Sequence, residues 1–361
     1  MNPEALAIFN NLSDKITSPH IKRSFQTLLH QFLQANGNPR PEHAKAKSSS
    51  AISRMLNQYN FPTLKLLRAS REQIEKVIWQ HYGTRGTRRP KLELIIDMTT
   101  LEKTGIFKEL PISYFNEKNG LHLVVLYVVI GNQRFVWAVR VWKAKGTRTW
   151  VGHALSMLRL IPAWFKLRFN CRVLADTGFG TTEFLEGCEA LELAVVVGMR
   201  HDRKTTDTQR INALPQGSSV ILNDCSVGVW FARYKLWHKD GSYEWRYVVS
   251  SRPAVARTII AWGKRRWRIE AFFRVMKSRF GLDQFGQRTK RGVLRFLLIA
   301  FIAYLLVLWT GFPFTDEENP DWIALAGLAQ LWLLTWVVQF ELKCRQEQVN
   351  EVLKFKVSVI V

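Results

Sequence analysis

The 361-residue chain is long enough for one large domain or for two to three smaller ones, and its apolar content of 47% excludes a disordered chain. Its 52 lysines and arginines against 29 acidic residues give a net charge of +23, spread along the chain, which favours a nucleic acid partner over a lipid surface. Four widely separated cysteines without C-x-x-C spacing disfavour a zinc site or a disulfide framework and favour a reducing cytoplasm. The N-terminal segment contains acidic residues and lacks a long apolar run, so it does not resemble a secretory signal.

Helical periodicity characterises the first part of the chain. We predict helices over 3–35 and 50–82, the second of them broken at Pro62 and near Ser70. Their basic faces suit a DNA-binding domain over residues 1–85, although such faces are equally ordinary in any helical domain. A basic, glycine-containing linker over 82–91 then marks a domain boundary.

Strands dominate the next region, and two of them are predicted to end in an aspartate, Asp97 and Asp176. The predicted elements are strands at 92–97, 171–176 and 193–199, a hairpin over 121–143 around Gly131 and Asn132, and helices at 154–165 (interrupted by Pro162) and 181–191. This order predicts an α/β fold, a mixed sheet flanked by helices.

A second strand-rich segment, residues 201–250, is predicted to be a β-rich insertion that divides the core into two parts, 92–200 and 251–311. One long helix is then expected over roughly 253–280. The apolar stretches 296–309 and 322–340 are predicted to be buried helices, with 312–361 as a C-terminal helical region. The alternative, a basic protein associated with a membrane, is motivated by these two stretches alone.

The helix over 253–280 carries one acid among many cations. On a helical projection one narrow stripe is apolar and is expected to pack on the sheet: Ile269, Phe272, Phe273, Met276 and Phe280. Arg266, Glu270 and Lys277 fall together on one flank of that stripe. Glu270 is therefore expected at the edge of the sheet, where it can meet the two aspartates.

Each acid alone has an ordinary explanation: a turn or capping aspartate, or an exposed Arg–Glu pair. Together, three carboxylates at one sheet edge can hold two Mg²⁺ or Mn²⁺ ions, an arrangement that suits phosphodiester chemistry. Arg266 and Lys277 are then candidates to bind the phosphates that flank the reacting bond.

At this point the residues resemble a known family. Asp97, Asp176 and Glu270 are similar to the DDE triad of transposases with an RNase H-like core, and the surrounding segments resemble the catalytic blocks of the IS4 group of insertion-sequence transposases. That group carries the signature Tyr-x2-Arg-x3-Glu-x6-Lys. Arg266, Glu270 and Lys277 match it, whereas Gly263 stands at the tyrosine position.

The resemblance implies a cut-and-paste DNA transposase with two metal ions, acting on terminal inverted repeats and target DNA, through a hairpin intermediate in some members. It also implies a homodimer on paired ends, in the cytoplasm of a prokaryote. In such enzymes a tryptophan of the insertion stacks a flipped base. The candidates are Trp230 and Trp237, for which a place in the core of the insertion is the alternative. Further candidate DNA contacts are Arg200, Arg203 and Arg274.

Two other functions remain open from the sequence. One is a nuclease of the same fold that cuts DNA without joining it. The other is a DNA-binding derivative without catalysis, which the three intact acids disfavour.

Overall fold

The computed structural model describes residues 3–34, 37–44, 46–83, 89–105, 107, 109–131, 133–143 and 148–311, and single positions or short runs between 322 and 353. Most of the predicted region 312–361, part of the linker over 82–91 and Asn132 lie outside the described residues. Two compact units are present, one formed by Met1–Lys76, Lys108–Leu110 and Arg274–Val361, the other by Val77–Phe107 and Pro111–Phe273.

The helices are α1 (Pro3–Asp14), α2 (Pro19–Gln34), α3 (Ser49–Asn57), α4 (Thr63–Tyr82), α5 (Trp150–Leu158), α6 (Ala163–Arg168), α7 (Thr182–Ala190), α8 (Ala256–Arg265), α9 (Arg268–Ser278) and α10 (Lys290–Gly311). The strands are β1 (Lys91–Glu102), β2 (Ser113–Phe115), β3 (Lys118–Ile130), β4 (Gln133–Trp142), β5 (Asn170–Ala175), β6 (Ala194–Met199), β7 (Ser219–Ile221), β8 (Gly228–Trp237) and β9 (Tyr243–Ser250).

The helical unit is built around α10, which contacts α1, α2 and α3. Arg295 of α10 is buried and donates from Nη1 to the carbonyls of Met55 (2.8 Å) and Leu56 (3.0 Å), at the end of α3. Those carbonyls belong to the last turn of a helix and have no partner within it, so the guanidinium satisfies them. The apolar stretch 296–309 is thus a core helix, as predicted.

Among the described residues α10 is the one helix whose length and composition would allow it to cross a membrane, and 94% of its apolar window is buried inside the protein. A core helix of a soluble protein has this property. The second apolar stretch, 322–340, lies largely outside the described residues.

Two details of the predicted N-terminal helices change. The segment 3–35 forms two helices, α1 and α2. The predicted break at Pro62 is confirmed, but the one near Ser70 is wrong, since α4 runs through it. The buried Ser70 hydroxyl donates to the carbonyl of Leu66 (2.8 Å), which allows serine inside a helix.

The second unit is a mixed sheet flanked by helices. β4, β3 and β1 form an antiparallel series, and β5 and β6 run parallel to β1 and to each other, in the spatial order β4-β3-β1-β5-β6. This is the RNase H-like arrangement, and it confirms the predicted fold. The hairpin of β3 and β4 and the division of α5 from α6 at Pro162 are also confirmed.

The predicted insertion contains three strands, β7, β8 and β9, and it continues the sheet of the core. β9 pairs antiparallel with β6, from Val196 opposite Ser250 to Met199 opposite Tyr247. β8 and β7 follow, so the core strands and the insertion form one nine-stranded sheet.

The single helix predicted over 253–280 is wrong, because it is two helices, α8 and α9, joined at Arg266 and Trp267. Four i→i−3 hydrogen bonds tighten the chain there, donated by the N–H groups of Arg266, Trp267, Ile269 and Glu270. The predicted apolar stripe is nevertheless buried throughout. Its Phe272 stacks on Tyr127 of β3, with ring centroids 4.7 Å apart.

Candidate active site

The pairing of β1 with β5 brings two of the predicted acids together. The last parallel pair in the register is Ile96 opposite Ala175, so Asp97 and Asp176 are the next residue on each strand. The prediction that Asp97 ends its strand is wrong, because β1 continues to Glu102 alongside β3. The acid marks the point where β1 loses β5 as a neighbour, which depends on the register of the sheet.

Asp97 is 8% exposed. Its Oδ1 accepts the Met98 N–H (2.7 Å) and its Oδ2 accepts a hydrogen bond from Arg266 Nη1 (2.5 Å). The pKa of Asp97 is raised to about 7, chiefly by burial and to a smaller extent by the charges of Asp176 and Glu270, against the lowering effect of the Arg266 charge and the Met98 N–H. The three acids therefore lie close enough to act on one another.

Asp176 ends β5 and caps a short 3-10 turn, Thr177–Phe179, by accepting the Gly178 N–H at 3.0 Å. Burial raises the pKa of Asp176, opposed chiefly by the charge of Arg266. The turn lies directly on β6: a Cβ at Gly198 would be 2.5 Å from Thr177 Oγ1. Glycine at this position therefore permits the turn that orients Asp176.

Glu270 reaches the same place from the first turn of α9. Arg266 Nη2 donates to Glu270 Oε1 at 2.9 Å while Nη1 of the same guanidinium holds Asp97, so one arginine bridges the two acids. Glu270 and Asp97 are thus held by one guanidinium, and Asp176 follows the strand that pairs with β1 just before Asp97. Arg266, which was expected to face phosphate, instead contacts the acids.

The donor set fits divalent cations by its chemistry. Three carboxylates provide hard oxygen ligands of the kind that Mg²⁺ and Mn²⁺ prefer, and their mutual repulsion calls for positive charge. As the side chains stand, the Arg266 guanidinium supplies that charge. In this arrangement, no group of three or more His, Cys, Asp or Glu residues in the described parts of the chain is close enough to hold a metal ion.

A further acid, Glu93, is part of the support of the site and was missed by sequence reasoning. It is 4% exposed and lies on the same face of β1 as Asp97, four residues earlier. Its two oxygens accept hydrogen bonds from Arg265 Nη1 (2.8 Å) and Arg268 Nη1 (2.9 Å). A signal for Glu93 was present in the sequence: it lies four residues before Asp97, on the same face of the predicted strand, and a later segment is rich in arginines that could pair with it.

The three arginines thus divide between two acids of one strand. Arg265 and Arg268, on either side of the α8–α9 junction, bind Glu93, and Arg266 within the junction binds Asp97. The junction is fixed to β1 at both acids, which positions Glu270 in the turn that follows.

Gly263, at the signature's tyrosine position, lies where α8 approaches β9. A Cβ at this position would be 3.1 Å and 3.3 Å from the two methyl groups of Val248, so any larger residue would require the Val248 side chain to shift by a few tenths of an ångström. The adjacent Trp262 ring instead carries the guanidinium of Arg172, 3.4 Å from its centroid.

The other predicted basic residues differ in their contacts. Lys277 is half-buried, two turns after Glu270 on α9, and Arg274 is exposed. Arg200 forms two hydrogen bonds with Asp202, at 3.1 Å and 2.8 Å. Arg203 donates to Thr182 Oγ1 (2.7 Å) and to a backbone carbonyl of the insertion, so it ties the insertion to α7.

The hairpin of β8 and β9 presents one exposed aromatic face. Trp237 is 62% exposed, and its ring centroid lies 5.0 Å from that of Tyr243. The Lys235 ammonium group lies 3.9 Å from the Tyr243 ring and 5.5 Å from the Trp245 ring. The second candidate tryptophan, Trp230, is half-buried at the other end of β8.

Comparison with known proteins is consistent with this geometry. Residues 88–306 match the family described as "Transposase DDE domain". A probable transposase of insertion sequence element IS5377 from Geobacillus stearothermophilus is 25% identical over 236 residues, which cover 62% of this chain and 58% of that relative. A cryo-EM structure of the piggyBac transposase in a synaptic complex with hairpin DNA aligns with a TM-score of 0.43 and 13% identity, over 96% of this chain and 77% of that one.

The family match covers more than half of the chain and includes the strand, the turn and the helix that carry Asp97, Asp176 and Glu270. The protein therefore belongs to the family of transposases with a DDE domain.

Proposed function

We propose that this protein is a DNA transposase that cleaves phosphodiester bonds at the ends of a mobile element and joins those ends to target DNA. The observation that carries the proposal is the meeting of Asp97, Asp176 and Glu270 at one place on an RNase H-like sheet, in a chain that belongs to the DDE family. The alignment covers 58% of the IS5377 relative, so that relative supports the proposal without establishing the activity of the whole protein.

Asp97, Asp176 and Glu270 are proposed as the ligands of two divalent ions, Mg²⁺ or Mn²⁺. Such a pair activates an attacking oxygen and stabilises the leaving one. The sheet register fixes the two aspartates, and the α8–α9 junction directs Glu270 toward them. Arg266, released from the acids, is proposed to turn its guanidinium to a phosphate of the DNA.

The remaining basic candidates are proposed as contacts to the DNA backbone. Arg274 and Lys277 continue along α9 from the acid, and Arg200 is exposed beyond β6. Arg203 has partners within the protein, so a contact to DNA by its side chain is the weakest of these proposals. All of them contribute to a positive potential that attracts duplex DNA regardless of sequence.

Trp237 is the tryptophan whose exposure favours base stacking, because its ring lies on the aromatic face of the hairpin. An unpaired base needs only a π-face and nearby cations, and Lys235 supplies a cation. Trp230 remains the second candidate. If the reaction passes through a hairpin, Trp237→Ala is expected to reduce the hairpin product more than the first nick.

The proposed partners are double-stranded terminal inverted repeats and target DNA, bound by a homodimer that pairs two ends in the cytoplasm. Analytical ultracentrifugation with and without the repeat duplex tests the dimer. A complex of one protein chain with one duplex at saturating DNA would contradict it.

The test of the function uses DNA that carries the inverted repeats flanking the gene, with Mg²⁺ or Mn²⁺. We expect site-specific nicking followed by joining to a target plasmid. Asp97→Asn, Asp176→Asn and Glu270→Gln should each reduce cleavage by at least ~100-fold, since each removes a ligand. Asp207→Asn, an exposed acid of the insertion, is the matched control and should cleave normally.

Two outcomes would replace the proposal. Nicking without joining would support a nuclease of the same fold. Full activity in all three acid variants would show that the reaction takes place elsewhere in the protein.

A further inference from the structure

The β8–β9 hairpin has a second face, which is turned toward α8. Residues of one parity share a face of a strand pair, and Tyr234 lies opposite Arg246 while Ala232 lies opposite Val248. Val248 contacts the position of Gly263 in α8. The next pair along the hairpin, Tyr234 and Arg246, therefore lies beside the end of α8.

Contacts at that end of the helix agree with the register. The Lys264 ammonium group lies 5.2 Å from the centroid of the Tyr234 ring. Burial raises the pKa of the Tyr234 phenol, and the charges of Arg246 and Arg266 act in the opposite direction, so both guanidinium groups are near it. The charge of Arg246 also acts on Asp176.

These groups have the chemistry of an anion site. The Tyr234 side chain is half-buried, and its hydroxyl has no hydrogen-bond partner among the residues that the structure describes. Lys264 is exposed, and Arg246 is about half-exposed. In the part of the chain that the structure describes, the partner of Arg246 is Glu244, in an ion pair that solvent screens. One neutral donor and two cations with free donors suit a phosphate oxygen.

We infer that Tyr234, Arg246 and Lys264 form a phosphate subsite next to the acids, which binds a phosphodiester group of the DNA strand held there. The inference rests on the proposed function for the identity of the ligand as DNA. Gly263 contributes to this subsite, because it permits the close approach of α8 to β9. That approach brings the three side chains near Arg266 and Asp176. In this protein the phenol near Arg266 thus comes from Tyr234 on β8, whereas the signature places a tyrosine on the helix, at position 263.

The experiment measures binding of a fluorescent inverted-repeat duplex by anisotropy, between about 50 and 200 mM salt. Tyr234→Phe removes only the hydroxyl. It should weaken binding about tenfold, the worth of one hydrogen bond to a charged group, and leave the salt dependence unchanged. Arg246→Gln should weaken binding and lower the slope of log K against log salt by about one.

Two matched controls lie outside the subsite. Tyr114→Phe changes an exposed tyrosine of β2, at the opposite end of the strand order from β8. Arg252→Gln changes an arginine whose exposure and ion pair, with Glu189, resemble those of Arg246 and Glu244. Both controls should bind like the unaltered protein. Equal binding by Tyr234→Phe, Arg246→Gln and their controls would overturn the subsite.

The outcome separates the subsite from the proposed function. If the unaltered protein binds the duplex but never cuts it, the transposase proposal fails while the two affinity shifts still test the subsite. If it cuts and joins DNA, and the two variants bind like their controls, the subsite is wrong and the transposase proposal stands.

Discussion

Arg266 shows how a single side chain can stabilise an acidic site. Its guanidinium bonds to Asp97 and Glu270 from adjacent nitrogens, a forked geometry that lysine cannot reproduce. Asp97 is almost fully buried, so its negative charge would be costly without such a partner. If the acids bind metal as proposed, the arginine and a divalent ion compete for the same oxygens.

This competition gives a measurable expectation for Arg266→Gln. In protein treated with a chelator, the variant should lose about 3 kcal/mol of unfolding free energy, since one partner of a buried pair is gone. Adding Mn²⁺ should then raise the melting temperature of the variant more than that of the unaltered protein, because binding stabilises the folded form and no guanidinium has to be displaced.

Asp97→Asn is the control for this measurement, because it removes a ligand and should reduce the shift caused by Mn²⁺. Equal shifts in the Arg266→Gln variant and the unaltered protein would contradict the competition.

The sequence was enough to select the three acids as candidates, but not to predict the residues that surround and support them. Asp97 and Asp176 stand out because each follows an apolar run, and Glu270 because it is isolated among cations. Glu93 has the same apolar neighbours, and its one local signal is its position four residues before Asp97 on the same strand face. Its partners are two arginines about 170 positions away in the sequence. A local sequence pattern can locate an unusual charged residue, but the residue that pairs with it is determined by the tertiary fold.

At the scale of elements, the junction between α8 and α9 is the main departure from prediction. No proline marks it, the one nearby glycine, Gly263, lies inside the last turn of α8, and the apolar periodicity continues across the junction, so sequence alone predicts one helix. The i→i−3 hydrogen bonds coincide with the ion pairs to Glu93 and Asp97. Tertiary contacts thus set the local geometry of the helix here.

Glu93→Gln tests whether these contacts stabilise the second unit. We expect a loss of about 3–5 kcal/mol in the free energy of unfolding, because two arginines lose a buried partner. Glu102→Gln is a control on the same strand. Its acid pairs with Lys118 in an exposed position, so its loss should cost about 1 kcal/mol or less.

Chemical denaturation, followed by circular dichroism, measures both changes. Similar losses in the two variants would show that Glu93 is not a special anchor of the junction.

At the scale of the whole molecule, the excess of positive charge is the property that composition alone predicts best. The net charge of +23 should make binding to unrelated duplex DNA strongly dependent on salt. If six or more phosphates are neutralised, affinity should fall at least ~10³-fold between about 50 and 200 mM salt. Anisotropy titrations measure this, and a nearly flat salt dependence would contradict a DNA partner.

The pairing of β9 with β6 has a mechanical consequence. The hairpin that carries Trp237 and the strand end that carries Asp176 are parts of one sheet with a continuous backbone hydrogen-bond ladder. A lid-like movement of the hairpin over the acids would have to break that ladder. That ladder runs from Tyr247 to Ser250 of β9, so it holds the base of the hairpin against β6, the strand next to β5. The insertion also covers an edge of the parallel strands, so its removal would expose β6 to pairing with other chains.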